Sequence, residues 1–557
     1  MSQLKRHENI LITIFLVFLI FSVFFPIIIL LLKSFQVDQS YSFEAWKRAW
    51  SEPGMATAIM NTLRVTFMVQ LISVPLATII AWLIARTNIV SGNSLEFLFW
   101  ISFFLPTLGI TSGWILVADP NYGLLNQLLM KLPFIDEPPF NIYSYWGIIF
   151  THLTALGISV KVMLLVPAFR NMDASLEEAA RTSGASTLGS LFKIVIPCIA
   201  PSLFVAFLMS LIRSFETFEI ELVLGTPFHF SVFSTKIYSL VTANADYGGA
   251  TALAMVIFVT MIPLVFLQYW ISHRKDYTTL SGRFKSTKVD LGKWRWPITL
   301  LVYTIASLCT FVPVLFMLMG SLMNLFGYFN VEQIWSFRHW DTVLTGHKFT
   351  NSLKNMLILG FGSMFISVIV YGLMAYISVR TRYFARGAFD ILTWIPFTIP
   401  GLVLGLGYFL MVLNTPVINQ LYGTIFVIIF VQTLSAMTVS MQILKSNMLQ
   451  LGFDLEEAGR ALGGTWWYGF RRIITPLMIP AVVLVGVMAF GSAARNVSDI
   501  VLLTTSKTEP LGIVMLGYLM GEDKSAATVV GTIIVIIVGM IAFMARMFGF
   551  KIGKHNS

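Results

Sequence analysis

A chain of 557 residues that is 57% hydrophobic and only 11% charged cannot be clothed in a water-facing surface, because soluble domains carry about 25% charged residues. The composition excludes a string of soluble domains and describes a polytopic membrane protein, in keeping with a mean hydropathy of +0.80. Two cysteines exclude a disulfide framework, and in such a chain a net charge of +10 marks cytoplasmic loops rather than a nucleic-acid partner.

An apolar run of about 20 residues crosses a bilayer as a helix. Twelve such runs are predicted: 10–32, 59–85, 95–117, 145–168, 199–222 and 249–270 in the first half, then 297–322, 355–379, 388–412, 422–444, 478–503 and 527–545 in the second. Lipid offers the backbone no hydrogen-bond partner, so the fold class is all-α. The first run follows Lys5 and Arg6, but it is too long for a signal-peptide core and lacks a small-x-small cleavage site, so it reads as a retained helix. With the amino terminus inside, the larger share of the 37 Lys and Arg lies in inner loops, which places both termini in the cytoplasm. The expected division is a first membrane repeat over 1–275, a basic cytoplasmic linker over 276–296 and a second repeat over 297–557.

The two halves repeat. Leu176–Arg181 reads LEEAAR and Leu455–Arg460 reads LEEAGR, half a chain further on, and Gly184, Ile194, Pro197 and Pro201 match Gly463, Ile473, Pro476 and Pro480 at the same offset. Weaker echoes, AWLIART at Ala81–Thr87 with AYISVRT at Ala375–Thr381 and Leu105-Pro106 with Ile399-Pro400, share a second, slightly larger offset, so the loops differ while the helices correspond. Each half has an even number of spans, so the copies enter the membrane in the same sense and form a parallel repeat.

Both copies of the loop between the fourth and fifth spans read Glu-Ala-(Ala/Gly)-x3-Gly-x9-Ile-x-x-Pro, from Glu178 and from Glu457. This resembles the EAA loop of permease subunits of binding-protein-dependent ABC importers, of type I architecture, with Gly459 in place of the second Ala and with Ile196 and Thr475 at the usual Leu. The resemblance implies that Glu178, Ala179, Ala180, Gly184, Glu457, Ala458, Gly459 and Gly463 form two coupling helices, each docking on one copy of a cytoplasmic ABC ATPase. It also implies a prokaryotic cell membrane and an extracytoplasmic substrate-binding protein, which would meet the outer loops at Lys33–Ala56 and Leu325–Leu353. ATP and Mg belong to the partner, and this chain is expected to bind no cofactor and to be no enzyme. Gly184 to Ser190 (GASTLGS) has the glycine spacing of a phosphate-binding loop but lacks its Lys, and the seven histidines show no ligand spacing, so no metal site is expected.

Charges inside a span are costly and mark function. In span 5, Arg213 and Glu216 are spaced i, i+3, with Glu219 and Glu221 following; in span 11, Arg495 and Asp499 are spaced i, i+4. Both spacings put opposite charges on one helix face, either to line a translocation pathway or to neutralise each other at the seam between halves; both readings stay open. Lys161 reads as a snorkelling edge residue. Arg213–Glu219 (RSFETFE) followed by Leu224–Pro227 (LGTP) resembles ferric-iron importers, while thiamine, polyamine and aminoethylphosphonate importers share the architecture. An ion-coupled secondary transporter would carry a basic motif between spans 2 and 3, which Thr87–Ser94 lacks. A membrane-embedded enzyme would need convergent His, Asp or Glu on facing helices.

Overall fold

The computed structural model describes residues 2–37, 40–172, 182–184, 186–274, 288–452, 454–461, 463, 466–521 and 523–547. Over these residues the chain is helical apart from short turns and the two-residue strands Gln36–Val37 and Ser40–Tyr41. Seven helices are long and apolar enough to cross a bilayer, and five bent pairs bring the number of spans to 12. The predicted runs all fall on these elements.

Two of the spans expected to be continuous are broken at about a right angle. In span 3, Gly92–Phe104 meets Thr107–Ala118 at 102°, and in span 9, Arg386–Thr398 meets Gly401–Asn414 at 104°. The cause is the repeated aliphatic-Pro pair: a residue before proline is pushed out of the helical region, and proline has no N–H to continue the ladder. Leu105 and Pro106, like Ile399 and Pro400, are accordingly extended, with ψ between 119° and 140°. A milder bend of 44° separates Tyr145–Gly157 from Ser159–Arg170 in span 4. There Lys161 does not snorkel; it is buried and its Nζ donates to the Gly157 carbonyl at 2.8 Å, a group freed by the break.

Spans 5 and 11 also end earlier than their apolar runs, at Phe215 and Arg495; Asn496 turns extended after span 11, and the chain continues through the π-turn Glu221–Gly225 in one half and the turns of Val497–Leu503 in the other. Short helices that the span pattern did not separate, Phe233–Thr242 and Leu511–Met520, follow in the two halves. After spans 1 and 7, Glu44–Ser51 and Arg338–Thr345 form a second pair of short helices, at the offset that relates the two proline corners.

The halves exchange their first spans. Span 1 packs on span 6 of its own half and on the second arm of broken span 9, where Tyr408 Oη donates to the Ser22 carbonyl at 2.5 Å, while Tyr383, in the turn before the first arm of that span, meets Thr13 Oγ1 through its Oη at 2.8 Å. Reciprocally, Phe311–Leu322 of span 7 packs on the outer arm of span 3. A glycine makes room for the contact in both directions: a Cβ on Gly113 would overlap the Pro313 carbonyl, and one on Gly407, its equivalent in the second half, would sit 3.2 Å from Pro26 Cβ and 3.1 Å from Leu30 Cδ1. The end of the linker joins the same frame. Val289 pairs with Thr87, and Asn88 Nδ2 donates to Asp290 Oδ1 at 2.5 Å. The Gly292 N–H and that amide hold the Asp290 carboxyl below its ordinary range.

Replacing Gly113 by Val forces span 7 off span 3 and is expected to cost about 1–3 kcal/mol, as overpacking does. A lowered Tm of the detergent-solubilised protein reports it, and an unchanged Tm refutes the close approach.

Candidate functional site

Two groups of residues singled out by the sequence occupy defined places. The first is the duplicated arm. Glu178, Ala179 and Ala180 lie outside the described residues, but their counterparts Glu457, Ala458 and Gly459 sit on a two-turn helix, Asp454–Ala461, with Glu457 exposed. Gly184 and Gly463 both take the left-handed conformation, φ +85° and +81°, with open space where a side chain would be. Only glycine adopts this cheaply, which is how it terminates a helix and redirects the chain. Each arm then passes through a four-residue helical turn, Thr187–Ser190 or Trp466–Gly469, into a π-helical turn, Leu191–Val195 or Phe470–Ile474, and so into span 5 or span 11. Every one of these boundaries recurs at the offset that relates Glu178 to Glu457. At Gly459 a Cβ would lie 2.8 Å from Ile473 Cδ1, so the arm rests on its own π-turn through its smallest residue.

The second group lies where the two halves meet. Arg213 Nη1 donates to Glu216 Oε2 at 2.7 Å, as the spacing predicts. Its guanidinium also lies 4.8 Å from the ring centre of Phe397, at the break of span 9. Arg495 does the same in the other direction, 4.5 Å from the Phe103 ring at the break of span 3, and donates to the Phe103 carbonyl. Phe103 and Phe397 hold equivalent places, each two residues before the aliphatic residue of its corner, so the braces are reciprocal. The predicted Arg495–Asp499 pair on one helix face does not form, because the helix ends at Arg495. Asp499 instead accepts from Asn496 Nδ2 at 2.6 Å and from Ser498 Oγ at 3.4 Å, and it abuts Gly401, the first residue of the outer arm of span 9. A helix N-terminus favours a negative charge at that point. Glu219 crosses the seam as well, Oε1 accepting from the Val497 N–H at 3.1 Å.

Glu221, the last of the span 5 acids, takes a partner that the sequence did not suggest. His152 Nε2 and Glu221 Oε1 are 2.7 Å apart, with the Glu221 side chain fully buried. Their counterparts, at the offset of the two arms, are Val431 and Ile500, both buried. Laying the halves over one another exposes the signal: Glu216 against Arg495, Glu219 against Ser498, Ile220 against Asp499 and Glu221 against Ile500. Charge is distributed unequally about a nearly symmetric frame. Among the described residues no group of three or more His, Cys, Asp or Glu is arranged to hold a metal ion.

Comparison with known proteins places this architecture. The family described as "Binding-protein-dependent transport system inner membrane component" matches residues 73–277 and again 369–549, more than half of the chain. The ferric transport system permease protein FbpB of Actinobacillus pleuropneumoniae is 28% identical over 73% of this chain, which spans 59% of that relative's length. The Fe(3+)-transport system permease protein FbpB 2 of Haemophilus influenzae is 21% identical, over 94% of this chain and 96% of its own. The sulfate transport system permease protein CysT of Salmonella typhimurium is 26% identical over 47% of this chain and 91% of its own.

The brace is testable by a double-mutant cycle. Phe397→Leu keeps apolar volume but removes the ring face, and is expected to lower stability in detergent by about 0.5–2 kcal/mol. Most of that loss should vanish when Arg213 is already Gln; strictly additive effects would show that ring and guanidinium do not interact.

Proposed function

The chain belongs to the family of binding-protein-dependent transport system inner membrane components, and we propose that it is the permease of an ATP-driven importer, both halves in one polypeptide. The observation that carries this reading is the duplicated arm: Gly184 and Gly463 both turn left-handed, the latter just after the helix Asp454–Ala461, and each is followed by a π-turn that leads into a span ending at the seam. In this reading Glu178–Gly184 and Glu457–Gly463 each engage one copy of a cytoplasmic ABC ATPase, which supplies ATP and Mg; the chain itself performs no chemistry and binds no cofactor. Both termini lie in the cytoplasm of a prokaryotic cell, and an extracytoplasmic binding protein delivers cargo to the outer loops.

The mechanism follows from mechanical continuity. Drawing the two arms together as ATP binds pulls on spans 5 and 11 through π-turns, irregularities that often mark functional sites in helices. The far ends of those spans carry Arg213 and Arg495, so rotation of one half against the other makes or breaks the braces to Phe397 and Phe103. Glu216, Glu219 and Asp499 lie beside these braces and would meet the passing solute once they part. Ferric iron is the cargo we assign: the iron-permease relatives extend across most of the chain, and carboxylates outnumber cations in this cluster, with Glu216, Glu219 and Asp499 against Arg213 and Arg495.

Gly184→Pro and Gly463→Pro are incompatible with positive φ. Together they are expected to lower radiolabelled iron uptake roughly tenfold or more, within the span of typical coupling energies, and to release the ATPase during co-purification. Intact uptake and attachment would refute the arms as the drive. Competition of uptake by excess ferric citrate but not by sulfate, thiamine or polyamine supports iron; competition by one of the others reassigns the cargo.

A further inference from the structure

The arms are tied to more than the spans that follow them. At the inner end of span 2, Arg86 donates through Nη1 to the Met172 carbonyl at 3.2 Å, and its repeat equivalent Arg380, in span 8, donates through Nη2 to the Met448 and Leu451 carbonyls at 3.0 and 2.6 Å. These acceptors close the inner ends of spans 4 and 10, immediately before each arm. Carbonyls at a helix C-terminus lack intrahelical donors and carry the negative end of the helix dipole, so a guanidinium fits them in charge and geometry. Arg86 is 2% exposed, so its guanidinium is met by protein rather than by water.

A second tie repeats beside the first. Glu96 at the start of span 3 pairs with Arg170 of span 4 at 2.5 Å, and Asp390, which stands in the place of Glu96 in the second half, pairs with Lys445 of span 10 at 2.8 Å. Asp390 also accepts from Ser378 Oγ on span 8 at 3.0 Å. In each half an acid, a base and an arginine therefore lash together the inner ends of three spans at the root of the arm. The bases differ in position, Lys445 lying one turn before the residue equivalent to Arg170, yet the tie is made in both halves.

We propose that Arg86 and Arg380 are the positioning residues of the coupling step, each making spans 2 to 4, or 8 to 10, move as one body with the arm. This rests on the reading of the arms as ATPase docking helices. The broken spans 3 and 9 belong to these bodies and carry Phe103 and Phe397, so arm motion reaches the braces by a second route beside spans 5 and 11.

Pulsed EPR distances test this in the full chain bound to its ATPase, with Cys198→Ser and Cys309→Ala as background. One label pair, at Ala461→Cys on the arm and Phe384→Cys beside broken span 9, spans the tie; both sites are exposed. A second pair, Ala461→Cys with Ser186→Cys, spans the two arms. With Arg380 present, trapping ATP with vanadate is expected to shorten the distance between arms and leave the distance across the tie unchanged. In Arg380→Met, which keeps the side-chain stem but has no donor, the distance across the tie should shift by more than its unmodified width, and Arg380→Lys should restore it. Arg86→Met is the companion variant: it lies outside this tie, so it should assemble and leave the Ala461–Phe384 distance constant. If Arg380→Met keeps that distance constant while the arms still close, or if Arg86→Met disturbs it equally, the inference falls alone. If the ATPase does not co-purify with the unmodified chain, or the arms do not close, the docking reading falls and takes this inference with it.

Discussion

Inside a bilayer every backbone N–H and C=O must be satisfied by protein, and that single constraint governs how this chain is put together. A span broken at about a right angle leaves carbonyls to which lipid has no hydrogen bond to donate. At the span 3 break the Phe103 carbonyl is taken by Arg495 of the other half, and at the milder break in span 4 the Gly157 carbonyl is taken by Lys161. The helix ends that root the arms are closed by Arg86 and Arg380. Four cations at or near the membrane interior, Arg86 and Lys161 buried and Arg380 and Arg495 half-buried, are thus explained by the same need. They sit where the ladder stops, and they replace the donors that a continuous helix would have supplied.

The span pattern and the repeat were legible because each rests on a signal that survives without tertiary context: apolar run length, and small, polar or proline residues recurring at a fixed offset. The breaks were not. Leu105-Pro106 and Ile399-Pro400 were visible as an echo, yet Pro26, Pro75 and Pro263 lie inside helices that remain continuous. At the span 3 corner the missing donor comes from the other half, Arg495 to the Phe103 carbonyl, a partner that no local sequence pattern reveals. The Arg495–Asp499 pairing failed likewise: helical spacing holds only while the helix continues, and it stops at Arg495. Of the arm, the helix and both glycine turns were readable from composition, whereas the π-turns have no local signature and follow from how each arm meets its span.

Approximate symmetry and local asymmetry serve different ends here. Frame residues recur: Gly113 with Gly407, Phe103 with Phe397, Asn61 with Asn355, whose side-chain amides reach carbonyls of the outer loop in both halves. The charged residues at the seam do not. His152 and Glu221 pair in one half where Val431 and Ile500 pack in the other, and Glu216 stands where its counterpart is Arg495. A duplicated permease held in one polypeptide can diverge at its axis without losing its packing, because each half is free to specialise while the exchanged spans preserve the join.

That exchange also shapes how the protein is made. Ser22 and Tyr408 are separated by 386 residues, so at ribosomal speeds of about 5–20 residues per second the leading helix is in the membrane for roughly 20–80 s before its partner emerges. During that interval its seam face has nothing to bury against except lipid and the nascent helices of its own half. The newborn chain is therefore an open clasp, closed only late in translation.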